Sequence, residues 1–160
     1  MANEALNTYL NDHLAGATAA IGFLSHLIEM GNPPAEPEFL KWLRGEFEED
    51  RAVLEDVIRR VGGRPSGLRQ LGGWIAEKAG SLKLLLDDPA GLRPLESLEA
   101  LVIGIHGKRS LWRALAAVAP ATPELSGVDF ARMESRAEDQ QSRVEVRRIE
   151  TARAGLVDPA

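Results

Sequence analysis

The chain has 160 residues, of which 44% are hydrophobic and 27% charged, and this length predicts one globular domain over residues 1–160 with a single core. The 24 acidic residues outnumber the 19 basic ones, and no run of Lys and Arg forms a basic stripe, so a nucleic-acid partner is not expected. Cysteine is absent, which excludes disulfides, thiolate metal ligands and a cysteine nucleophile.

Helix is the expected secondary structure almost everywhere. Ala, Leu, Glu and Arg dominate, and aromatic residues make up only 5% of the chain, so no strand is expected. Apolar spacing together with Gly and Pro breaks predicts five helices in chain order, over residues 3–30, 37–61, 67–86, 92–118 and 129–154. The "GNPP" stretch ends the first helix, and Asp129 can cap the last.

The lengths of the connections predict how these helices are arranged. A short loop joins the first helix to the second, and another joins the fourth to the fifth, so each pair is expected to be antiparallel. The segment between the pairs, residues 62–91, is long enough to cross the full length of a bundle while carrying the short helix. The sequence therefore predicts an all-α four-helix bundle with a short helix in a long crossover connection.

Polar side chains interrupt the apolar seam near the middle of each long helix. His13 stands where the seam of the first helix calls for a leucine, and Asp50 takes the same place in the second. Antiparallel helices of similar length bring their midpoints to one level, and unpaired polar groups are costly in a core. We therefore expect one polar cluster in the middle of the bundle, formed by His13, Asp50, Glu99, His106 and Gln141.

Four long helices, a crossover and a polar layer in mid-bundle resemble the ferritin-like superfamily over nearly the whole chain. Members of that superfamily that bind metal through carboxylates place a Glu on one helix of each pair and a Glu-x-x-His on the other. The residues three before the histidines of this chain are Leu10, Phe23 and Ile103, so no Glu-x-x-His is present. The resemblance thus implies the fold but carries over no metal ligand.

Three functions remain open for the polar cluster. The first is structural, a buried hydrogen-bonded layer that fixes the register of the helices in a protein that is not an enzyme and needs no cofactor. The second is a remodelled site for iron, zinc or manganese, with ligands chosen from His13, Glu49, Asp50, Glu99 and His106. The third is a small-molecule pocket between helices, where Lys78 or Arg109 would meet an anionic ligand.

Motifs of conventional hydrolases are missing from the sequence. There is no Gly-x-Ser-x-Gly elbow, no phosphate-binding Gly-rich loop and no His-Glu-x-x-His pair. The N-terminal sequence does not have the pattern of a signal peptide, and no window approaches 18 uncharged apolar residues. We therefore expect a soluble, cytoplasmic protein that does not enter a membrane.

The outward face of the first helix predicts association. Only Glu4, Asp12 and Glu29 are charged between residues 3 and 30, fewer than a solvent-facing helix normally carries. The face off the seam consists of Ala15, Thr18, Ala19, Gly22, Phe23 and His26. Either the crossover helix, with Trp74 and Leu82, or a second subunit in a homodimer is expected to cover it.

Overall fold

The computed structural model describes residues 3–66 and 91–157. Within them the chain forms four long α-helices and no strand, which confirms the all-α prediction. The helices are α1 (Glu4–Glu29), α2 (Pro37–Arg60), α3 (Arg93–Val118) and α4 (Phe130–Gly155). Two short 3-10 turns, Ala119–Ala121 and Pro123–Leu125, lead from α3 towards α4. The helix predicted over 67–86 lies outside the described residues, as do Trp74, Lys78 and Leu82.

Local sequence signals set the helix ends. Asn3 caps α1, because its side-chain oxygen accepts a hydrogen bond from the Leu6 N–H at 3.3 Å. Asp129 caps α4 in the same way, accepting from the Arg132 N–H at 2.9 Å. Pro37 begins α2, where its missing N–H would have had no helical partner. The end of α2 turns at Gly62, whose φ of 77° is a left-handed conformation that favours glycine.

Contacts between side chains show that the helices form two antiparallel pairs. In the first pair, α2 packs along α1 and Arg44 reaches Ser25. In the second pair, Arg148 near the end of α4 meets Glu99 near the start of α3. The pairs are joined side by side through α2 and α4, where Arg147 meets Glu36 near the start of α2.

Helices α2 and α3 run in the same direction. The chain leaves α2 beside the first half of α1, because the Ser66 N–H donates to Asn11 Oδ1 at 2.8 Å. The last turn of α3 ends at the same end of the bundle, where Val118 lines a small cavity with Leu6 and Tyr9. The first turn of α3 therefore lies at the opposite end of the bundle from residue 66.

One core fills the interior, and its course along α1 differs from the predicted seam. Leu10, Leu24 and Leu27 are buried as expected. In the turn that follows Leu10, Leu14 is buried, whereas His13 is only half-buried. Successive helical residues are rotated by about 100°, so a stripe that runs through Leu14 turns His13 to its edge.

Candidate functional site: a buried charged network

A charged and amide network occupies the middle of the bundle where α2, α3 and α4 meet. Asp50 on α2 is 2% exposed and Gln140 on α4 is 0% exposed. Lys108 on α3 lies between them, with its Nζ 2.6 Å from Asp50 Oδ2. The same Nζ donates to Gln140 Oε1, and Gln140 Nε2 donates to Asp50 Oδ2 at 3.0 Å. The three side chains thus close a hydrogen-bonded triangle.

Arg136 on α4 completes the network from the other side of Asp50. Its Nε donates to Asp50 Oδ1 at 3.1 Å, so both oxygens of this carboxylate accept hydrogen bonds. Its Nη2 lies 3.0 Å from one oxygen of Glu46 and 3.0 Å from one oxygen of Glu49. Gln140 Nε2 also donates to Glu46 at 3.2 Å. The two cations of Lys108 and Arg136 therefore face three carboxylates, those of Asp50, Glu46 and Glu49.

The surroundings of Lys108 are those of a core residue. Its side chain is 14% exposed, and its Nζ lies 3.9 Å from the centre of the Phe47 ring. Burial lowers the pKa of the Lys108 amine, and the neighbouring Asp50 carboxylate opposes that shift. Burial also lowers the pKa of Arg136, but Asp50, Glu46 and Glu49 outweigh it and raise that pKa above its ordinary value.

The sequence brings Lys108 inward because it lies on the apolar seam of α3. Steps of three and four lead through Leu101, Ile105, Lys108, Trp112 and Leu115. All of these except the lysine are buried hydrophobic residues. The seam spacing was thus a signal for Lys108 in the sequence, although lysine is rarely fully buried without a partner.

The structure does not gather the five predicted cluster residues in one place. Asp50 alone belongs to the buried network. His106 is exposed, and Glu99 is half-buried and pairs with Arg148 at 3.3 Å. The remaining two also lie outside the network. Gln141 accepts a hydrogen bond from Arg109, and the His13 ring packs edge-on against Tyr9 with 4.7 Å between ring centres.

These departures have one physical cause, an error of one residue in the rotational position of α1, α3 and α4. His106 follows buried Ile105, and Gln141 follows buried Gln140. A shift of one position rotates a side chain by about 100° around the helix axis, from the core to its edge or to solvent. On these three helices the predicted depth was close but the predicted face was wrong, whereas Asp50 on α2 faces the core as predicted.

The residues proposed as metal ligands are dispersed by the same rotation. Glu49 is 69% exposed and pairs with Arg136 at the edge of the network. Across residues 3–66 and 91–157, no three His, Cys, Asp or Glu side chains are placed to hold a metal ion. Asp50, the only buried member of the predicted ligand set, is instead surrounded by an ammonium, a guanidinium and an amide.

A groove follows the network outward between α2 and α4. It contains a cavity of about 510 Å³ with an apolar floor that includes Val53 and Met133, and a second cavity of about 430 Å³ beside Trp42. Arg132 and Arg136 border both cavities. Arg109, the cation predicted to meet a ligand, is instead occupied by Gln141 and two glutamates of α4.

Comparison of the chain with protein-family models, with curated proteins and with solved structures finds no match. In the described part of the chain, no helix is long and apolar enough to cross a membrane.

The outward face predicted on α1 is only partly open in the structure. Phe23 is buried in the core, whereas Gly22 and His26 are exposed. No residue from 13 to 21 is fully exposed. Homodimerisation through this face stays a prediction, and its open part is limited to the second half of α1.

The network predicts strong energetic coupling between Asp50 and Lys108. Asp50→Leu or Lys108→Met alone leaves a buried charge short of its partner, and each should lower the free energy of unfolding by about 3 kcal/mol or more. In urea denaturation, the double variant should lose less free energy of unfolding than the sum of the two single losses. The difference, which is the coupling energy, should be about 2 kcal/mol.

The pair formed by Asp56 and Arg60 is the matched control. It has the same 2.6 Å separation, but its side chains are about half exposed. Asp56→Leu with Arg60→Met should show a coupling of about 0.5 kcal/mol. Equal coupling in the two cycles would contradict a special role for the buried network.

His13 should make the stability of the fold depend on pH. Burial lowers the pKa of its imidazole, with Asp12 opposing, so the folded chain takes up a proton less readily than the unfolded chain. Stability should therefore fall as the pH drops below about 6.5, the ordinary pKa of histidine. Chemical denaturation should show that the free energy of unfolding falls less between pH 7.5 and pH 5 for His13→Gln than for the wild type. His26→Gln, an exposed control, should match the wild type. Parallel curves for wild type and His13→Gln would refute this.

Proposed function

We propose that this chain is a ferritin-like bundle with a structural or binding role rather than a catalytic one, in which the ammonium of Lys108 takes the place that a metal cation has in metal-binding relatives of that fold. The two antiparallel pairs and the parallel α2 and α3 support the ferritin-like arrangement.

The position of Lys108 carries the proposal. Its Nζ donates hydrogen bonds to oxygens of Asp50 and Gln140 in the middle of the bundle. Carboxylate and amide oxygens of this kind are also the ligands that a hard metal cation would use. Arg136 brings a second positive charge to Asp50. A metal ion at this carboxylate would be repelled by both side chains, so the bundle centre is electrostatically complete with its own cations.

The hydrogen bonding of the network favours a structural role. Asp50 accepts bonds at both oxygens, and Gln140 uses its oxygen and its nitrogen within the network. Groups engaged in this way are poor candidates for proton transfer to a substrate. The network instead joins α2, α3 and α4, so a slip of any one helix would separate buried charges at a cost of several kcal/mol. We propose that it fixes the register of the bundle.

Metal analysis tests this proposal directly. Protein purified without an affinity tag should contain far less than one equivalent of iron, zinc or manganese. Chelation should leave the melting temperature unchanged, and so should added metal. The matched variant Lys108→Met keeps the length of the side chain but removes its charge. It should lower the melting temperature in samples that contain no metal.

One equivalent of metal in the wild type, with a melting temperature that falls on chelation, would overturn the lysine proposal. That result would favour the remodelled metal site, for which the histidines and carboxylates of α1, α2 and α3 would have to approach one another.

A second candidate function is the binding of a small anion with an apolar body in the groove between α2 and α4. Arg132 favours it, because this guanidinium has no hydrogen-bond or ion-pair partner among the described residues. The acids around it are already engaged, Asp56 with Arg60 and Asp129 with the Arg132 backbone. The other charged residues that line this cavity of about 510 Å³ are engaged with one another, so the Arg132 guanidinium beside its apolar floor suits a carboxylate on a hydrophobic group.

The second candidate predicts an effect of Arg132 on ligand binding. In a thermal-shift assay with aliphatic and aromatic carboxylates, the wild type should be stabilised and Arg132→Gln should lose most of that shift. Arg64→Gln is the control, since Arg64 is exposed, has no partner among the described residues and does not line the groove. No shift for any carboxylate, or equal shifts in both variants, would argue against a site at Arg132.

A further inference from the structure

Helix α3 carries two seams rather than one. Besides the buried seam that holds Lys108, a second series of uncharged residues steps by three and four along the outer side of the helix, beside Glu99. Its members are Ala100, Ile103, Gly107, Ser110, Ala114 and Ala117. An ordinary surface helix has charged residues on this face, and the 3-4 repeat is the spacing that keeps one face against a partner helix.

Among the described residues the outward seam is open over its middle and its end, whereas Ala100 packs against the core and Ala114 lines the small cavity shared with Leu6 and Tyr9. Ile103 at the centre of the seam is 71% exposed, more than any other large hydrophobic side chain in the described ranges. Ser110 and Ala117 are exposed as well. At Gly104 and Gly107, a Cβ atom would meet no other atom within 4 Å, so another helix has room to approach closely there.

The charges beside the outward seam identify the partner that fits it. Glu99, His106 and Arg113 lie seven residues apart along one edge, so they hold the same position in successive heptads. If a second copy of α3 packs antiparallel across a twofold axis at His106, Glu99 lies opposite Arg113 of the second copy, and Arg113 lies opposite its Glu99. The edge is complementary to itself in this orientation, whereas a parallel copy would place like charges together.

Both charged residues are accessible for such pairing. The Glu99 side chain is 47% exposed and its contact with Arg148 is 3.3 Å long. The Arg113 side chain is 69% exposed and lies 3.4 Å from Glu134. Each has one ion-pair partner among the described residues and is partly in solvent, so each can also pair with a second copy without burying an unpaired charge.

We infer that the outward seam of α3 is a homodimer interface, in which two copies of α3 pack antiparallel across a twofold axis near His106. The seam from Ala100 to Ala117 is about 27 Å long at 1.5 Å per residue. A single helix pair of this length makes a small interface, so association in the micromolar range is expected. This surface is distinct from the outward face of α1 and does not depend on the role of Lys108.

Light scattering and sedimentation over about 1 µM to 500 µM protein test the interface. The wild type should shift from 17.4 kDa towards twice that mass as concentration rises. Gly107→Glu should weaken dimerisation at least about 100-fold, because it places two negative charges where the two copies of α3 come closest. Gly22→Glu is the matched control, an exposed glycine on α1 with equal room for a side chain, and should dimerise like the wild type.

Charge reversal provides a test that does not rely on the glycine variants folding normally. Glu99→Arg or Arg113→Glu alone should weaken dimerisation about tenfold, and the combination of the two should restore it. Circular dichroism should give equal helical content for all variants. A wild type that stays monomeric at 500 µM would overturn the inference. So would a dimer broken by Gly22→Glu but not by Gly107→Glu, or a charge-reversal pair whose effects add without rescue.

Discussion

The buried carboxylate of Asp50 is the constraint on which the rest of the structure depends. An isolated charge in a protein core costs many kcal/mol, so its partners must be delivered to it by the fold. Lys108 comes from α3, while Arg136 and Gln140 come from α4. In the observed alignment of these three helices, both oxygens of Asp50 accept hydrogen bonds. A slip of one helix would separate Asp50 from a partner, whereas apolar packing is not directional.

Helix α4, which supplies two of the partners of Asp50, is polar along most of its length. This helix buries only five residues along its length, and one of them is Gln140. It is held to α2 largely by its arginines, since the Arg143 and Arg147 guanidiniums lie over the rings of Trp42 and Phe39. Such contacts are directional, whereas apolar packing is not. A helix bound in this way adds specificity of register to a bundle whose apolar core supplies most of the driving force.

A lysine that takes the place of a cation links this architecture to the proposed function. An ammonium and a metal ion both attract carboxylate and amide oxygens, but the ammonium needs fewer of them, is covalently attached and needs no loading from solution. The bundle would then keep its central electrostatic bond under all conditions of metal supply. Surfaces outside the centre, such as the groove at Arg132 and the outward seam of α3, are where such a bundle would meet a ligand or a second copy.

The sequence by itself determined the four long helices, the cap at Asp129, and a polar layer at mid-length containing Asp50, because these depend on local spacing and turn chemistry. Which residues complete that layer was decided only by tertiary structure. A seam with steps of three and four tolerates a shift of one position, and only packing against other helices chose Leu14 over His13, and Gln140 over Gln141. Lys108 entered the core for the same reason. Its burial is favourable only where another helix supplies Asp50, and the amino-acid sequence alone does not show that pairing.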